Sequence, residues 1–417
     1  MSLPGSLLTG LLVVFGVLLA PAAQSQITIN PVIVNTALDS LVDDDIYPFV
    51  YARIESREGR VLYEHSRVNT ELLPNVRVDG QTWMRIWSMS KIVTIVLMQD
   101  LIEEGLVSLD EPVSNYIPEF ADLTVATAPD GKPLSGLETG EAGCPIQTTA
   151  QDRAMTVGDL LHHRAGFFYA LMPVPCMNRA FADARIVESR NSRQLIRRLA
   201  ELPLIQQPGA DYLYGFNTTV LGLVLERASG QSLKELLQTR ITGPLRIRGL
   251  GWGIDDPDRL IPASVRTPDG LRLSKDGERN IFGGALPSWD AGSRLYLGGE
   301  GMLATADGYA DFLRVLLGYG ELRGKRLLDV QSVEAMLQPH TLIDPNTGHN
   351  GYNIFVTNAN NDGGSVWLGG GYEGTQYWID PQNDFVVVIM TQVHGIANYN
   401  ELRERVRAAV NAAVTRN

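Results

Sequence analysis

Ser88 and Lys91 stand three residues apart in the stretch RIWSMSKIVT, which runs from Arg85 to Thr94. A serine hydroxyl becomes a nucleophile when a neighbour takes its proton. An amine can be that neighbour if burial in an apolar core lowers its pKa. Residues three apart in a helix share a face. A helix beginning near Ser88 would let the two side chains meet. It would also put the serine at a helix N-terminus, where free N–H groups and the dipole favour negative charge. The plain alternative is an N-cap serine followed by a solvated lysine, and a four-residue pattern alone is weak evidence against it. Two observations lower its weight. None of Lys132, Lys234, Lys275 or Lys325 has a serine three residues before it. Lys91 is followed at once by Ile92 and Val93 rather than by a polar face.

The elements that must position this pair are legible in outline. SKIVTIVLMQDLIEEG reads as a helix, apolar nearly all round through Leu97 and therefore buried, with Gly105 as its stop. Before it, YPFVYARIESREGRVLYEHSR reads as two strands around the turn Arg57-Glu58-Gly59-Arg60, with Val50, Ala52 and Ile54 alternating against Tyr51, Arg53 and Glu55. From about Pro112 to Asp290 the chain is rich in helix signals, among them TVGDLLHH, SRQLIRRLAEL, TTVLGLVLERASG and SLKELLQTRI, with Thr156 and Ser232 as N-caps. Thr127 to Asp152 reads as a polar loop. After the capped helix TADGYADFLRVLLGYG, strands return in GYNIFVTN, GSVWLGGG, TQYWIDP and DFVVVIMTQ, and NELRERVRAAVNAAV closes as an amphipathic helix.

Strands at both ends therefore bracket a helical middle. The expected fold class is α/β (α+β): an antiparallel sheet formed from both chain ends, flanked by helices, with a mostly helical insertion. The expected division is a discontinuous α/β domain over 40–115 and 290–417 and a helical domain over 116–289.

Composition bounds the function. The chain has 417 residues, 44% hydrophobic and 20% charged, with a net charge of −12 and no Lys/Arg-rich run. That argues against nucleic acid and anionic membrane surfaces as partners. Leu7 to Ala20 is apolar and is followed by small residues, so 1–25 reads as a signal peptide or an N-terminal anchor, although no Lys or Arg precedes the apolar run. The protein is expected to be exported, periplasmic or secreted. Cys144 and Cys176 are the two cysteines; they form a possible disulfide or stay reduced and buried. The six histidines show no metal spacing, and no metal or cofactor is expected. No Gly-x-Ser-x-Gly elbow is present.

At this point a resemblance adds to the residues. WMRIWSMSKIVTIVLMQDLIEEGLVSLDEPVSNYIPEF, TVGDLLHHRAGFFY, PGADYLYGFNTTVLGLVLERASGQSL, GGEGMLATADGYADFLRVLLGYGELRGKRLL and GGGYEGTQYWIDP occur in the order of the serine β-lactamase-like hydrolases, and the chain resembles that family from about Tyr47 to Gln392. The family includes class C β-lactamases, DD-peptidases and family VIII-type esterases.

The resemblance implies that Ser88 is the nucleophile, Lys91 the lysine of Ser-x-x-Lys, and Tyr214 the tyrosine of the second motif. A tyrosine titrates near 10 when unperturbed and needs positive charge beside it to act as a base. Either Lys91 or Tyr214 could take the serine proton. The oxyanion hole would be the N–H groups of Ser88 and Tyr372. Gly369, Gly371, Tyr372, Phe216 and Asn217 would line the substrate site.

Two departures matter. Phe216 stands two residues after Tyr214 where penicillin-recognising members carry asparagine, with Asn217 one step on. Gly369-Gly370-Gly371 stands where they carry Lys-Thr-Gly, with Trp367-Leu368-Gly369 as the less favoured register. A glycine cannot bind a substrate carboxylate. The implied function is a serine hydrolase, above all a carboxylesterase on small or medium neutral esters or amides. The rivals are an acyltransferase, a weak β-lactamase or DD-peptidase, and a non-catalytic binding or scaffold member. No stable protein partner is expected. Phe167, Phe168, Tyr169, Trp252 and Tyr372 are candidates for an acyl pocket. His163 is expected to be structural, and His394 a loop residue near the cleft.

Overall fold

The strands Phe49–Ser56 and Val61–Val68 pair antiparallel, as the alternating side chains imply. This computed structural model describes residues 27–138, 143–275, 277–279, 281–283, 286–358, 364–396 and 399–416. The expected export segment at 1–25 lies outside them. On its other edge Phe49–Ser56 pairs antiparallel with Phe385–Met390, where Ile54 faces Val387. The sheet continues through Gln376–Asp380, Trp367–Gly370, Phe355–Thr357, Gly348–Asn350 and Thr341–Asp344 to eight antiparallel strands. Both ends of the chain therefore meet in one sheet.

Every residue of FVVVIM, Phe385–Met390, is buried. That is why it lacks the apolar–polar alternation of a half-exposed strand. Val387 and Ile389 face a layer built from the helices Pro31–Asp43 and Tyr399–Ala413, through Val34, Leu38, Leu402 and Val406. Val386 and Val388 face the main core, which includes Tyr309, Phe312 and Leu313 of the helix Ala306–Leu317. Each such side chain contributes about 1.5–3 kcal/mol on burial. Among the described residues no helix is long and apolar enough to cross a membrane.

The helix carrying Lys91 spans Ser90–Glu103, and every residue from Ser90 to Leu101 is buried. It begins at Ser90, where the stretch SKIVTIVLMQDLIEEG starts. Ser88 sits in a tight 3₁₀ turn, Trp87–Met89, and Trp87 has φ +47°, a left-handed conformation that an α-helix cannot incorporate. The helical region places Asn217–Ser229 in the core alongside it. Thr156 and Ser232 cap their helices as read, each in a reciprocal capping box, with Asp159 and Glu235. SLKELLQTRI is helical only to Leu236 and then widens into a π turn over Leu237–Thr242. The loop Thr127 to Asp152 contains a short strand, Gln147–Thr149, paired with Val125–Thr127. Cys144 of that loop is disulfide-bonded to Cys176 of the helix Pro175–Asp183.

Candidate active site

Ser88 is half-buried at the tip of its turn. A bulky residue with positive φ is an outlier that persists only when its surroundings over-determine it. Trp87 has such surroundings: its indole is fully buried, edge-on to Trp289 at 5.6 Å and to Tyr372 at 5.3 Å, and stacked near Phe282 at 6.3 Å. The strain is set by packing, and it turns Ser88 toward the facing residues rather than into the helix.

Lys91 Nζ donates to Ser88 Oγ at 3.1 Å, to the Gly299 carbonyl at 2.9 Å and to Glu300 Oε1 at 3.2 Å. An ammonium has three N–H groups, and all three are used. The carbonyl and carboxylate are acceptors only, so the surroundings suit the cation. Burial of Lys91 pulls its pKa down, but the negative charges that Tyr214 and Glu300 can carry outweigh it, and the pKa is raised. Burial in an apolar core, the route by which Lys91 could act as the base, is here opposed by these charges. The sequence missed Glu300 because it lies 209 residues away, between two glycines, with no spacing signal. Glu300 is itself fully committed: Thr219 Oγ1 donates to its Oε2 at 2.6 Å, and Tyr169 Oη donates to its Oε1. Thr219 Oγ1 also accepts from Gly299 N at 2.9 Å, which fixes the carbonyl segment facing Lys91.

Tyr214 Oη lies 2.8 Å from Ser88 Oγ, and Tyr214 is 41% exposed. Its ring lies under the Lys91 ammonium, with Nζ 5.0 Å from the centroid. The imidazole of His163 also stacks on this ring, at 5.2 Å and 18°. Burial, and then the Lys91 charge, lower the His163 pKa to about 3, so it backs Tyr214 as a neutral ring. Phe216 and Asn217 do not line the substrate site. Both are fully buried: Phe216 is edge-on to Tyr169, Phe181 and Phe282, and the Asn217 amide donates toward His163 Nδ1 at 3.3 Å and the Leu213 carbonyl at 3.2 Å. They hold the turn that aims Tyr214.

The third motif reaches the site in the glycine register. A Cβ on Gly371 would lie 2.5 Å from the Ile86 carbonyl oxygen, so only glycine lets this strand end pass so close to the nucleophile turn. Tyr372 follows with its ring on Trp87. Trp367, by contrast, packs edge-on to Tyr319 at 5.6 Å, which disfavours the other register. Gly369 lies two residues further from the turn and is partly exposed, and a Cβ there would lie 2.7 Å from the Tyr377 ring. His394 stacks at 6.3 Å on Tyr372, and its Nε2 pairs with Ser274 Oγ at 2.9 Å. Of the pocket candidates, Tyr169 is at the site, Phe167 and Phe168 are core, and Trp252 is buried with its N–H on the Leu297 carbonyl. No cluster of metal-ligating side chains occurs among the described residues.

The arrangement is a serine hydroxyl held by a phenol and an ammonium, beside a glycine-lined strand end. The model of the Beta-lactamase family matches residues 52–412. The chain is 28% identical over 274 residues to ML-236A carboxylate methylbutanoyltransferase mlcH of Penicillium citrinum, covering 66% of this chain and 59% of that one. It is 26% identical over 283 residues to Esterase EstB of Burkholderia gladioli, covering 63% of each. It spans about three fifths of the length of the curated relatives it matches, 60% and 59% in two of them. Among solved structures, EstCE1, described as a hydrolase with promiscuous acyltransferase activity, shares the fold with a TM-score of 0.72 at 23% identity, over 91% of this chain and 97% of that one.

Proposed function

The chain belongs to the Beta-lactamase family, and we propose that it is a serine hydrolase working through an acyl-enzyme, a carboxylesterase on small or medium neutral esters. One observation carries this reading: Ser88 Oγ is held at once by Tyr214 Oη at 2.8 Å and Lys91 Nζ at 3.1 Å. In the first step Ser88 Oγ bonds to the acyl carbon and its proton passes to deprotonated Tyr214. The Lys91 cation stabilises that tyrosine and the attacking oxygen. The N–H groups of Ser88 and Tyr372 receive the oxyanion. As the intermediate collapses, the ester C–O bond breaks and Tyr214 returns the proton to the leaving alcohol. Water then gives a proton to Tyr214 and adds to the acyl carbon, and the acid leaves as Ser88 is reprotonated. No step uses a metal or cofactor.

Neutral substrates are favoured because Gly369 stands where a lysine would bind a carboxylate. This also sets back a β-lactamase or DD-peptidase reading. A second reading is acyl transfer, in which an alcohol or amine replaces water; the methylbutanoyltransferase relative supports it. A non-catalytic scaffold is disfavoured by the intact Ser88, Lys91 and Tyr214 set. The apolar stretch Leu7 to Ala20 supports export.

The test is hydrolysis of p-nitrophenyl butyrate and of nitrocefin by the wild type and by Ser88→Ala. Ester turnover that disappears in the variant, with little nitrocefin hydrolysis, is expected. Ester turnover that survives in Ser88→Ala sinks the assignment of the nucleophile.

A further inference from the structure

Glu373 follows Tyr372, the residue proposed as one oxyanion donor, and its side chain has no exposed surface. Arg85 stands three residues before Ser88, the other proposed donor, and its side chain is 6% exposed. Arg85 Nε donates to Glu373 Oε2 at 2.9 Å, and Arg279 Nη1 donates to Glu373 Oε1 at 2.9 Å. Burial alone would raise the Glu373 pKa, but the two guanidiniums outweigh it and hold the carboxyl ionised. Arg85 is fixed in turn. Its Nη2 donates to the Ile261 carbonyl at 2.7 Å. Its backbone N–H and carbonyl are both taken by the Gln392 side chain, at 3.1 and 3.0 Å. The backbone of Glu373 is tied to the same segment, its carbonyl accepting from Val393 N at 2.9 Å.

Such a buried cluster is weak evidence of added stability. Replacing a buried ion pair by apolar residues is often neutral or favourable, whereas pairs of this kind can fix a geometry. Here the geometry fixed is specific. The segments Arg85–Ser88 and Gly371–Glu373 meet twice, once where Gly371 lies against the Ile86 carbonyl and once at the Arg85–Glu373 bridge, and the two donors stand beside these contacts.

We propose that Glu373 is a positioning residue: through Arg85 it sets the spacing between the Ser88 and Tyr372 N–H groups, with Arg279 holding its second oxygen. This rests on the acyl-enzyme reading above. A misplacement of about 1 Å in such a site costs about 100-fold in rate.

The test is Glu373→Gln, which keeps the shape and removes the charge. Activity on p-nitrophenyl butyrate is normalised to sites titrated by the acylation burst. Inhibition by phenylboronic acid, whose adduct on serine is tetrahedral, is measured alongside. Amide hydrogen exchange is followed over 86–90 and 369–374. The expected result is a cooperative melt and a kcat about 10- to 100-fold lower with KM within about twofold. Boronate affinity should fall in parallel, and exchange should quicken in both segments. A folded Glu373→Gln protein with wild-type exchange in both segments and wild-type kcat overturns the proposal. If the single variant does not fold, Arg85→Gln/Glu373→Gln removes the Arg85–Glu373 charge pair together, and the same outcomes decide. A wild type without ester turnover refutes the hydrolase reading instead; exchange alone then decides whether Glu373 sets the spacing.

Discussion

Lys91 Nζ lies 3.2 Å from Glu300 Oε1, and neither side chain has any exposed surface. This buried pair decides how the serine–lysine spacing is to be understood. A lysine alone in an apolar core would be pushed toward the neutral amine. With Glu300 and the Gly299 carbonyl as pure acceptors and Ser88 Oγ taking the third N–H, Lys91 stands as a donor to all three neighbours. In the proposed mechanism the basic role is therefore given to Tyr214, the other group on Ser88 Oγ.

Glu300→Gln removes one of the two charges, Tyr214 and Glu300, that together outweigh the burial of Lys91. The Lys91 pKa then falls, so the high-pH limb of kcat/KM, where the cation is lost, moves to lower pH. The kcat at pH 7 should drop about 10- to 100-fold, within the range for electrostatic stabilisation of a reacting site. Stability should fall as well, by about 3–5 kcal/mol, because one partner of a buried pair is left alone. A pH–rate profile with an unmoved high-pH limb contradicts this account.

Tyr214→Phe deletes one oxygen from a residue that is 41% exposed. The phenyl ring can keep its stack on His163 and its face toward Lys91. Loss of a positioned proton acceptor costs about 10²- to 10⁴-fold in rate. The kcat should fall by that amount, with KM changed little and the melting temperature within about 2 °C of wild type. If Tyr214→Phe acylates at the wild-type rate in a stopped-flow burst, Lys91 must be the base after all.

The parts of this molecule that follow local rules were legible in its sequence. The hairpin Phe49 to Val68, the caps Thr156 and Ser232 and the final helix all carry their own pattern of period or cap. Ser88, Lys91 and Tyr214 were found by motif, and the structure brings them together. The rest depends on contacts far apart in the chain. Glu300 has no partner within reach of a spacing argument, and its role appears only when Thr219, Tyr169 and Lys91 converge on it. Phe216 and Asn217 do not reach the cleft because both side chains turn into the core at the start of the helix Asn217–Ser229. No sequence rule anticipates the tryptophan at φ +47° that sets the turn holding Ser88.

The Cys144–Cys176 bridge ties the loop from Thr127 to Asp152 onto the helix Pro175–Asp183, across a sequence separation of 32. Closing a loop of that length in the unfolded chain is worth about 3–4 kcal/mol. Cys144→Ser/Cys176→Ser should therefore lower the denaturant midpoint by a corresponding amount. Neither sulfur touches Ser88, Lys91, Tyr214 or Glu300, so ester turnover at 25 °C should stay within about twofold. The check is urea unfolding of both proteins beside their initial rates, and a tenfold loss of rate in a folded double variant argues that this loop shapes the cleft.

His163 makes stability depend on pH. Its pKa is lowered to about 3 in the fold, by burial first and by Lys91 second. In the unfolded chain a histidine titrates near 6.5. Between these values the unfolded state binds a proton that the folded state does not, so stability falls as pH falls through this window. His162, lowered to about 4 by burial and by His340, acts in the same direction over a narrower range. From pH 7 to pH 5 the contribution of His163 is a loss of about 2 kcal/mol, from about 1.5 pH units at about 1.4 kcal/mol each. His163→Gln keeps an acceptor for the Asn217 amide and cannot titrate. Whatever its stability at pH 7, its loss on going to pH 5 should be smaller than that of the wild type by about this amount, measured as the difference in urea unfolding free energies. Equal losses in the two proteins would show that His163 is already protonated in the fold at pH 5, and that the neutral ring behind Tyr214 does not persist there.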